Sequence, residues 1–591
     1  MTISGLKETV VVQDQAQVTP PARYDGGAAV VDVLKAAGVE TIFLLHGGHI
    51  DPIILAAENE GIRLIDTRHE AVTGYAADAT TRMTGKLGVS LTTAGPGFTN
   101  VITAITSAWL DRIPVLFIAG APPLRDVETN VLQGGIDQVA MVAPVTKWAG
   151  RATSAETAVR LTAHAIRTAQ SGVPGPVYLE LPIDILFGDA QGLAHKVSEV
   201  RRAAPPAPET AAIEQAIALL AKAERPVIMA GTGVVLSRAG ELLGQFAQAA
   251  GIPVFTNVKA AGVLGRAHPN ACGMFSDITR AALAPDAVLL IGARIGMYTG
   301  GANGVIPASA KLIQVDIDER EMGRERNADI GIVADCKATI EALVSRSGAT
   351  RWPDRSAFLA EARSARSWIG KRFDNLAAKA GAPVHPWQAV HALREVIRDN
   401  VLVISDGGDT SGWCEIGLSD LAGEPGSYAS VGYLGNLGMH QGWAIAAQLA
   451  FPDKRVVCVT GDGSVGFQAM EFDTYVRHGL PIVTVVLNNS VWGMSISGQH
   501  VMWKGRDIAV RLSTSTRYDL IAEACGGHGE LVTDPADLVP AYERALASGL
   551  PACVNVIMET NAQVMSPRTE AMITAITGEE VIMPYYANLK E

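Results

Sequence analysis

Short apolar runs alternate with amphipathic stretches along most of the chain, and this alternation constrains the fold more than any other feature. The apolar runs include PVLFIAG (114–120), PVIMAG (226–231), AVLLIGA (287–293) and RVVCVTG (455–461). Strands that are buried on both faces appear in a sequence as continuous apolar runs. The stretches between these runs have the pattern of the helices that connect parallel strands. The pattern predicts the α/β class, with doubly wound parallel sheets.

The same pattern divides into three blocks. A Pro- and Ala-rich stretch, RRAAPPAPET (201–210), separates the first block from the second, and the second fades near RWPDRSAFLAEARSARSW (351–368). A chain of 591 residues is too long for one core, and roughly 150 residues per domain predicts three or four domains. We predict a first domain at 24–190, a middle domain at 207–350, a third domain at 383–560, and a tail or lid at 561–591.

Composition and charge argue against several classes of function. The formal net charge is -12 and no basic stripe is present, so nucleic acid is not an expected partner. No run approaches about 20 uninterrupted apolar residues, so no membrane span is predicted, and the N-terminal residues lack the order of a signal peptide. The six cysteines are scattered without a CxxC pair, which predicts neither a zinc site nor a disulfide framework and fits a cytoplasmic location.

One pair of motifs indicates a site for a metal and a diphosphate. The run GDGS (461–464) follows the predicted strand KRVVCVT, and Asn488-Asn489 ends the predicted strand LPIVTVVL, with 24 residues between Gly463 and Asn488. Neighbouring parallel strands would bring a carboxylate and an amide together at their carboxyl ends, where α/β sheets bind ligands. Such oxygen ligands suit Mg²⁺, and the glycines let backbone amides approach a diphosphate. GDG alone is more often a tight turn, but the second motif favours the site.

With these motifs the sequence resembles the thiamine-diphosphate (ThDP) enzymes of the acetolactate-synthase and pyruvate-decarboxylase superfamily. The resemblance covers residues 24–560 and implies ThDP and Mg²⁺ as cofactors, bound between a pyrimidine-binding first domain and a diphosphate-binding third domain. It implies that Mg²⁺ is bound by Asp462, the side chain of Asn489 and the backbone carbonyl of Val491. The cofactor contacts that it implies in the third domain are Gly408, Asp409, Thr410, Leu437, Gly463, Ser464, Asn489, Val491 and Trp492, with Leu437 as an apolar pillar beneath the bent cofactor.

Glu70, in the segment DTRHEA, is the candidate for the acid-base step that activates the cofactor. A glutamate at a helix start is more often a capping charge. The resemblance implies instead that Glu70 binds N1′ of the aminopyrimidine, so that the 4′-amino group can remove the C2 proton of the thiazolium. In the superfamily the pyrimidine and diphosphate halves of a site come from different subunits, so the resemblance implies a homodimer or homotetramer with active sites at subunit interfaces.

Two histidines flank a Gly-Gly pair in the segment LLHGGHID (44–51), a spacing that suits a metal, a catalytic base or a phosphate. A metal role is weak, because nothing near them completes a tetrahedral set of ligands. Within the superfamily the segments HGGHID, IDTRHEA, LQGGIDQVA and GDGSVG most resemble those of the benzaldehyde lyases. By position, this resemblance implies that His49 and Gln133 relay protons at the substrate and that the pocket is lined by His46, Gly48 and Met494.

These residues predict a ThDP- and Mg²⁺-dependent carbon–carbon lyase or carboligase that cleaves or forms 2-hydroxy ketones through a C2-carbanion and an enaminol. Met494 stands where benzaldehyde lyases have alanine and predicts a narrower pocket. The alternative is a 2-hydroxyacyl-CoA lyase, in which Arg320, Arg324 and Arg326 meet nucleotide phosphates, although a solvated helix face paired with nearby glutamates explains these arginines more simply. Acetolactate synthase is less favoured, because GTG at 231–233 is only a weak signal for a bound dinucleotide in the middle domain. A non-catalytic subunit is also less favoured.

Overall fold

Three six-stranded sheets, each with all its strands parallel, form the frame of the protein. The computed structural model describes residues 24–129, 131–193, 200–296, 299, 304–365, 372–373, 383–397, 400–424 and 426–570. Helices cover the faces of the sheets, and the predicted α/β class with doubly wound parallel sheets is confirmed. Within these ranges no helix is long and apolar enough to cross a membrane.

The first sheet carries the residues from which a proton-handling site is predicted. Its strands are β1 (Thr41–Leu44), β2 (Arg63–Asp66), β3 (Gly88–Thr92), β4 (Val115–Ala121), β5 (Trp148–Arg151) and β6 (Val177–Pro182), in the spatial order β2-β1-β3-β4-β6-β5. Its helices are Gly26–Ala36, Asp51–Asn59, Glu70–Thr84, Pro96–Asp111, Gln138–Val142, Ala155–Gln170 and Ile183–Leu186. Every residue of β3 and β4 is buried, as continuous apolar runs predict.

The middle sheet has a different connectivity. Its strands are β7 (Pro226–Ala230), β8 (Val254–Thr256), β9 (Ala271–Met274), β10 (Ala287–Ile291), β11 (Lys311–Asp316) and β12 (Ile330–Val333), in the order β12-β11-β10-β7-β8-β9. Its helices are Thr210–Lys222, Thr232–Leu236, Gly240–Ala250, Phe275–Arg280, Cys336–Arg346 and Ser356–Arg363.

The third sheet repeats the order of the first. Its strands are β13 (Val401–Ser405), β14 (Tyr428–Ser430), β15 (Arg455–Gly461), β16 (Val483–Asn488), β17 (His528–Val532) and β18 (Ala552–Ile557), in the order β14-β13-β15-β16-β18-β17. Its helices are Pro386–Val396, Asp409–Leu418, His440–Ala450, Asp462–Val465, Glu471–Arg477, Gly493–Met502, Tyr518–Ala524 and Leu538–Ala547. Counted along each domain, both outer sheets therefore read 2-1-3-4-6-5.

The first and third domains share a hydrophobic core. Helix Glu70–Thr84 packs against helix His440–Ala450, and buried side chains such as Tyr75 and Trp443 belong to one continuous cluster. The helices approach closely because Gly442 has no side chain, since a Cβ there would lie 2.7 Å from the Cβ of Tyr75. The position of Glu70 is thus tied to the third domain of the same chain.

Candidate active site

Asp462 is a buried carboxylate at the carboxyl end of β15. It is 3% exposed, and among the described residues its Oδ2 has no hydrogen-bond partner. Burial raises the pKa of Asp462 to about 7, and backbone hydrogen bonds from Gly463 and Ser490 only partly oppose this effect. A divalent cation would supply the missing partner and stabilise the charged form, so Asp462 fits the role of a metal ligand.

The two asparagines of the second motif have different surroundings. Asn488 serves the fold, because its Nδ2 donates to Oδ1 of Asn555 at 3.1 Å. Asn489 lies beyond the end of β16, the strand next to β15, and its Oδ1 accepts a hydrogen bond from the amide of Val491 at 3.3 Å. Since the amide of Ser490 reaches the Asp462 carboxylate, Asn489 and Val491 lie beside the candidate metal ligand.

A cradle of backbone surrounds this point. The turn 406–410 follows β13, which is the other neighbour of β15 in the sheet. Gly407 has φ +103, a conformation that favours glycine, and a Cβ on Gly408 would lie 2.8 Å from Sδ of Met494. A Cβ on Gly463 would lie 2.5 Å from the ring of Trp492. Glycine backbone thus lies at the strand ends beside Asp462, which is where α/β proteins hold a diphosphate.

Behind the cradle lies a buried hydrogen-bond network that sequence reasoning did not assign. Asp406 accepts hydrogen bonds from the hydroxyl of Ser464 at 3.0 Å and from the backbone amide of Gly407 at 2.5 Å, and its Oδ2 lies 2.8 Å from Nδ1 of His440. Burial alone would raise the pKa of Asp406, but the contacts with His440 and Ser464 outweigh burial, and the pKa is lowered. The hydroxyl of Ser464 therefore anchors the GDGS turn, while its backbone remains for the diphosphate.

The other predicted cofactor residues of the third domain have mixed roles. Thr410 packs beside Gly461, whereas Leu437 is partly buried in the loop before helix His440–Ala450. The carboxylate of Asp409 is occupied, since it accepts hydrogen bonds from Nε1 of Trp413 at 2.9 Å, the amide of Ser566 at 2.8 Å and the hydroxyl of Thr569 at 2.7 Å. The side chain of Asp409 thus anchors the start of the predicted tail, and residues 571–591 of that tail lie outside the described residues.

Glu70 is the first residue of its helix, directly after β2 and a short loop. The N-cap is His69, whose Nδ1 accepts a hydrogen bond from the amide of Ala71 at 3.1 Å, so the helix start does not depend on the Glu70 carboxylate. Glu70 is 8% exposed, and its Oε2 accepts a hydrogen bond from Nδ2 of Asn100 at 2.9 Å. A buried glutamate held by one amide and free of capping duty fits a proton-handling role.

His49 and Gln133 lie on the same rim of the first sheet. His49 packs over the end of β4, since a Cβ on Gly120 would lie 2.6 Å from its Cβ, and its Nδ1 lies 3.3 Å from Oγ1 of Thr93. Gln133 adopts φ +63 and packs on Gly95, two residues beyond Thr93. Burial lowers the pKa of His49, while nearby Asp51 opposes the effect. The structure thus places both side chains at the end of β3.

The other residues predicted to line the substrate pocket are His46, Gly48 and Met494, and their surroundings differ. His46 is largely exposed, and its Nε2 lies 3.0 Å from Oδ1 of Asp51, the arrangement of a histidine bonded in a turn. Gly48 opens the short 3-10 turn Gly48–Ile50, and Met494 covers the turn 406–410 of the third domain. Within the described residues, no group of three His, Cys, Asp or Glu side chains could hold a metal ion.

Glu471 joins the two site-bearing domains and was also missed. It is fully buried, its Oε1 accepts a hydrogen bond from the amide of Arg68 at 2.9 Å, and its Oε2 accepts one from Thr474 at 2.6 Å. Burial raises the pKa of Glu471 to about 7, although these hydrogen bonds lower it. Glu471 thereby holds the segment just before Glu70 in place. The hydrogen bond from Arg68 joins positions 403 residues apart, so no local pattern signals it.

Comparison with known families agrees with this geometry. The chain matches the models of the thiamine pyrophosphate enzymes in three parts: the N-terminal TPP binding domain at residues 24–141, the central domain at 213–343 and the C-terminal TPP binding domain at 406–556. The protein therefore belongs to the thiamine pyrophosphate, or ThDP, enzyme family, as the motifs predicted.

Two groups of relatives extend over nearly the whole chain. An acetolactate synthase large subunit of Mycobacterium tuberculosis is 36% identical over 552 residues, which cover 93% of this chain and 98% of that protein. A 2-hydroxyacyl-CoA lyase 2 of Homo sapiens is 30% identical over 580 residues, covering 90% of each chain. The 2-hydroxyacyl-CoA lyase 2 of Bos taurus is 31% identical over 549 residues, or 86% of this chain and 85% of that protein.

Proposed function

We propose that the protein is a ThDP- and Mg²⁺-dependent carbon–carbon lyase or carboligase that cleaves or forms 2-hydroxy ketones. The observation that carries this proposal is the placement of His49 and Gln133 on one rim of the first domain. Because burial lowers the pKa of His49, the imidazole is uncharged near neutral pH and can accept the proton of a substrate hydroxyl.

His49 has one nitrogen available for this step. Its Nδ1 faces the hydroxyl of Thr93. When Nδ1 donates to Thr93, Nε2 is an acceptor and takes the hydroxyl proton as the carbon–carbon bond breaks; Gln133 supplies an amide that orients the same hydroxyl. Glu70, held by Asn100 through Oε2, keeps its second carboxylate oxygen for the cofactor ring.

The third domain would hold the cofactor. Asp462, Asn489 and the carbonyl of Val491 would bind Mg²⁺, and the backbone of the turn 406–410 and of Gly463 would hold the diphosphate. When bound, ThDP supplies a nucleophilic carbon that adds to a carbonyl group and stabilises negative charge next to it. The unpaired Oδ2 of Asp462 is the observation that supports the metal assignment.

We propose that the active enzyme is a homodimer or a dimer of dimers. Glu70 and Asp462 belong to different domains, and among the described residues no hydrogen bond joins the two side chains. Large apolar side chains are exposed close to both halves of the site, and a second subunit would cover them. They are Leu132, Ile136 and Met141 in the first domain and Phe467 and Met470 in the third domain.

The second candidate function is that of a 2-hydroxyacyl-CoA lyase, which the relatives of that name support. Arg320, Arg324 and Arg326 do not support this function through nucleotide phosphates, because their side chains have partners within the chain. Arg320 pairs with Asp318 at 2.8 Å, and Arg326 donates to the carbonyl of Pro307 at 2.7 Å. Their segment contains the 3-10 turn Glu319–Glu321 and no α-helix, so the expected helix face was wrong. Of the expected pairs with nearby glutamates, the structure shows those of Arg324, with Glu321 at 3.4 Å and Glu325 at 3.6 Å.

A product screen tests the proposal. Purified protein with ThDP and Mg²⁺ is given aliphatic and aromatic 2-hydroxy ketones, a 2-hydroxyacyl-CoA thioester, or pyruvate, and aldehydes and acetolactate are quantified by chromatography. We expect aldehyde release from 2-hydroxy ketones, with aliphatic substrates preferred, and a shift toward aromatic substrates in Met494→Ala. Glu70→Gln measures the uncatalysed background. Turnover of the thioester alone would favour the second candidate, and acetolactate as sole product would refute both.

A further inference from the structure

A buried cluster of charges lies where the three domains meet. Asp111, the last residue of helix Pro96–Asp111, has a fully buried side chain. Its carboxylate accepts hydrogen bonds from Nη2 of Arg82 at 2.8 Å, from Nζ of Lys259 and from the backbone amide of Tyr433 at 3.1 Å. Arg82 and Asp111 belong to the first domain, Lys259 to the middle domain and Tyr433 to the third domain. One carboxylate thus contacts all three domains.

The cluster places buried carboxylates against buried cations. Asp78 also accepts a hydrogen bond from Arg82, at 3.0 Å, so two carboxylates face two cations. Burial alone would raise the pKa of Asp111, but Lys259 and Arg82 hold it well below the usual range. Burial lowers the pKa of Lys259 to about 8, although Asp111 opposes this effect. Because the carboxylate of Asp111 is charged and has three donors, it has little freedom to move.

The backbone of the third domain runs directly against this carboxylate. A Cβ placed on Gly432 would lie 2.3 Å from Oδ2 of Asp111, so no larger residue fits without displacing one of them. The ring of the next residue, Tyr433, is held between two cations, with Nζ of Lys259 4.0 Å and Cζ of Arg294 4.2 Å from its centroid. The start of segment 432–438 is therefore fixed by the first and middle domains.

The other end of segment 432–438 is fixed by the cofactor half of the third domain. Gly438 packs against the residues that follow the GDGS turn, since a Cβ there would lie 2.3 Å from Oε1 of Gln468 and 2.7 Å from Cβ of Phe467. Two residues later, His440 contacts Asp406 behind the diphosphate cradle. Leu437, the predicted pillar beneath the cofactor, thus lies in a seven-residue segment anchored at both ends.

We propose that Asp111 is a positioning residue for the cofactor: through the amide of Tyr433 and the close approach of Gly432, it sets the place of segment 432–438 and hence of Leu437. The inference rests on the proposed cofactor site and adds a residue that has no contact with it. Asp111 also lies on the helix whose Asn100 holds Glu70, and its partner Arg82 lies on the helix that Glu70 begins. The cluster thereby locates both the proton-handling side chain and the pillar segment.

The test compares two variants with a matched control in the full-length protein. Gly432→Ala moves the segment without changing any charge, and Asp111→Asn removes the charge while keeping the shape. The control is Arg112→Gln, which breaks the neighbouring contact between the first and middle domains, where Arg112 binds Asp318 at 2.7 Å and Glu321 at 2.6 Å. ThDP affinity is measured by quenching of tryptophan fluorescence at fixed Mg²⁺, and thermal midpoints are recorded alongside.

We expect Gly432→Ala and Asp111→Asn to raise the Kd of ThDP at least tenfold and to alter the near-ultraviolet circular dichroism of the bound cofactor. Arg112→Gln should lower the thermal midpoint comparably but keep the Kd within about twofold. An unchanged Kd in Gly432→Ala overturns the inference, as does an equal loss in the control, which would show a general effect of domain loosening. If Asp111→Asn fails to fold, Gly432→Ala decides. Failure of the unaltered protein to bind ThDP would instead refute the proposed function.

Discussion

Asp462→Asn should stabilise the protein without cofactor while weakening its binding of the cofactor. The carboxyl group is 3% exposed, and burial raises its pKa from 3.8 to about 7. Because the pKa is higher in the folded than in the unfolded chain, the contribution of this group to stability is complete below about pH 4 and is lost as the pH rises through 7. At roughly 1.4 kcal/mol per pH unit, the loss amounts to about 4 kcal/mol by pH 8.

Asparagine keeps the shape of the side chain and removes the ionisable group. We therefore expect the advantage of the variant in unfolding free energy to grow by about 3 kcal/mol between pH 5 and pH 8. For a domain of this size the thermal midpoint should then rise by several degrees at pH 8 relative to the unaltered protein. ThDP affinity at fixed Mg²⁺ should fall at least about tenfold, the low end of what disturbed metal sites lose.

The assay is thermal unfolding, followed by circular dichroism, of protein freed of ThDP and treated with a chelator, at pH 5, 6, 7 and 8. Asp453→Asn is the matched control, because Asp453 is exposed in the same domain and its substitution should leave the pH dependence unchanged. A second series contains ThDP and Mg²⁺, where the order of stability should reverse. If apo Asp462→Asn is no more stable than the unaltered protein at pH 8, the carboxylate does not carry the burial cost argued here.

Three further substitutions test other parts of the site. Glu70→Gln should fold normally and lose about 100- to 10,000-fold in turnover, because an amide cannot share a proton with the cofactor ring; near-normal turnover would contradict the role of Glu70. His49→Ala should slow carbon–carbon cleavage by a similar factor and keep ThDP affinity within a few-fold, and a parallel loss of affinity would place His49 at the cofactor instead. Glu471→Gln should lessen the loss of thermal stability between pH 5 and pH 8. Burial raises the pKa of Glu471 to about 7, so the stabilising contribution of its carboxyl group disappears above that pH. Identical pH profiles of the variant and the unaltered protein would show that Glu471 does not titrate in this range.

Much of the frame of this protein follows from local sequence. Strands such as β4 and β16 are buried along their whole length, and such runs are visible as uninterrupted apolar stretches. The GDGS turn and the double asparagine were recognisable because both follow neighbouring strands at their carboxyl ends. The different duties of the two asparagines were not recognisable, because the partner of Asn488 lies on β18, 67 residues further along.

The supporting contacts of the site depend on tertiary packing and left no local signal. His440 and Asp406 pair across 34 residues, and Glu471 reaches the segment before Glu70 across the boundary between two domains. Asp111 is a similar case, since an aspartate at a helix end is ordinarily a surface residue. Its burial depends on tertiary partners, which are Arg82 from its own domain and Lys259 and Tyr433 from the other two.

The shared strand order of the outer sheets bears on the descent of the protein. Two six-stranded sheets with the order 2-1-3-4-6-5, which meet through equivalent helices in a common core, are the outcome expected of a duplicated ancestral unit, whereas the middle sheet has another order. The predicted proton-handling residues lie at the strand ends of the first sheet, and the predicted metal and diphosphate residues lie at the strand ends of the third. The two halves of the proposed site thus occupy equivalent places in two sheets of the same strand order.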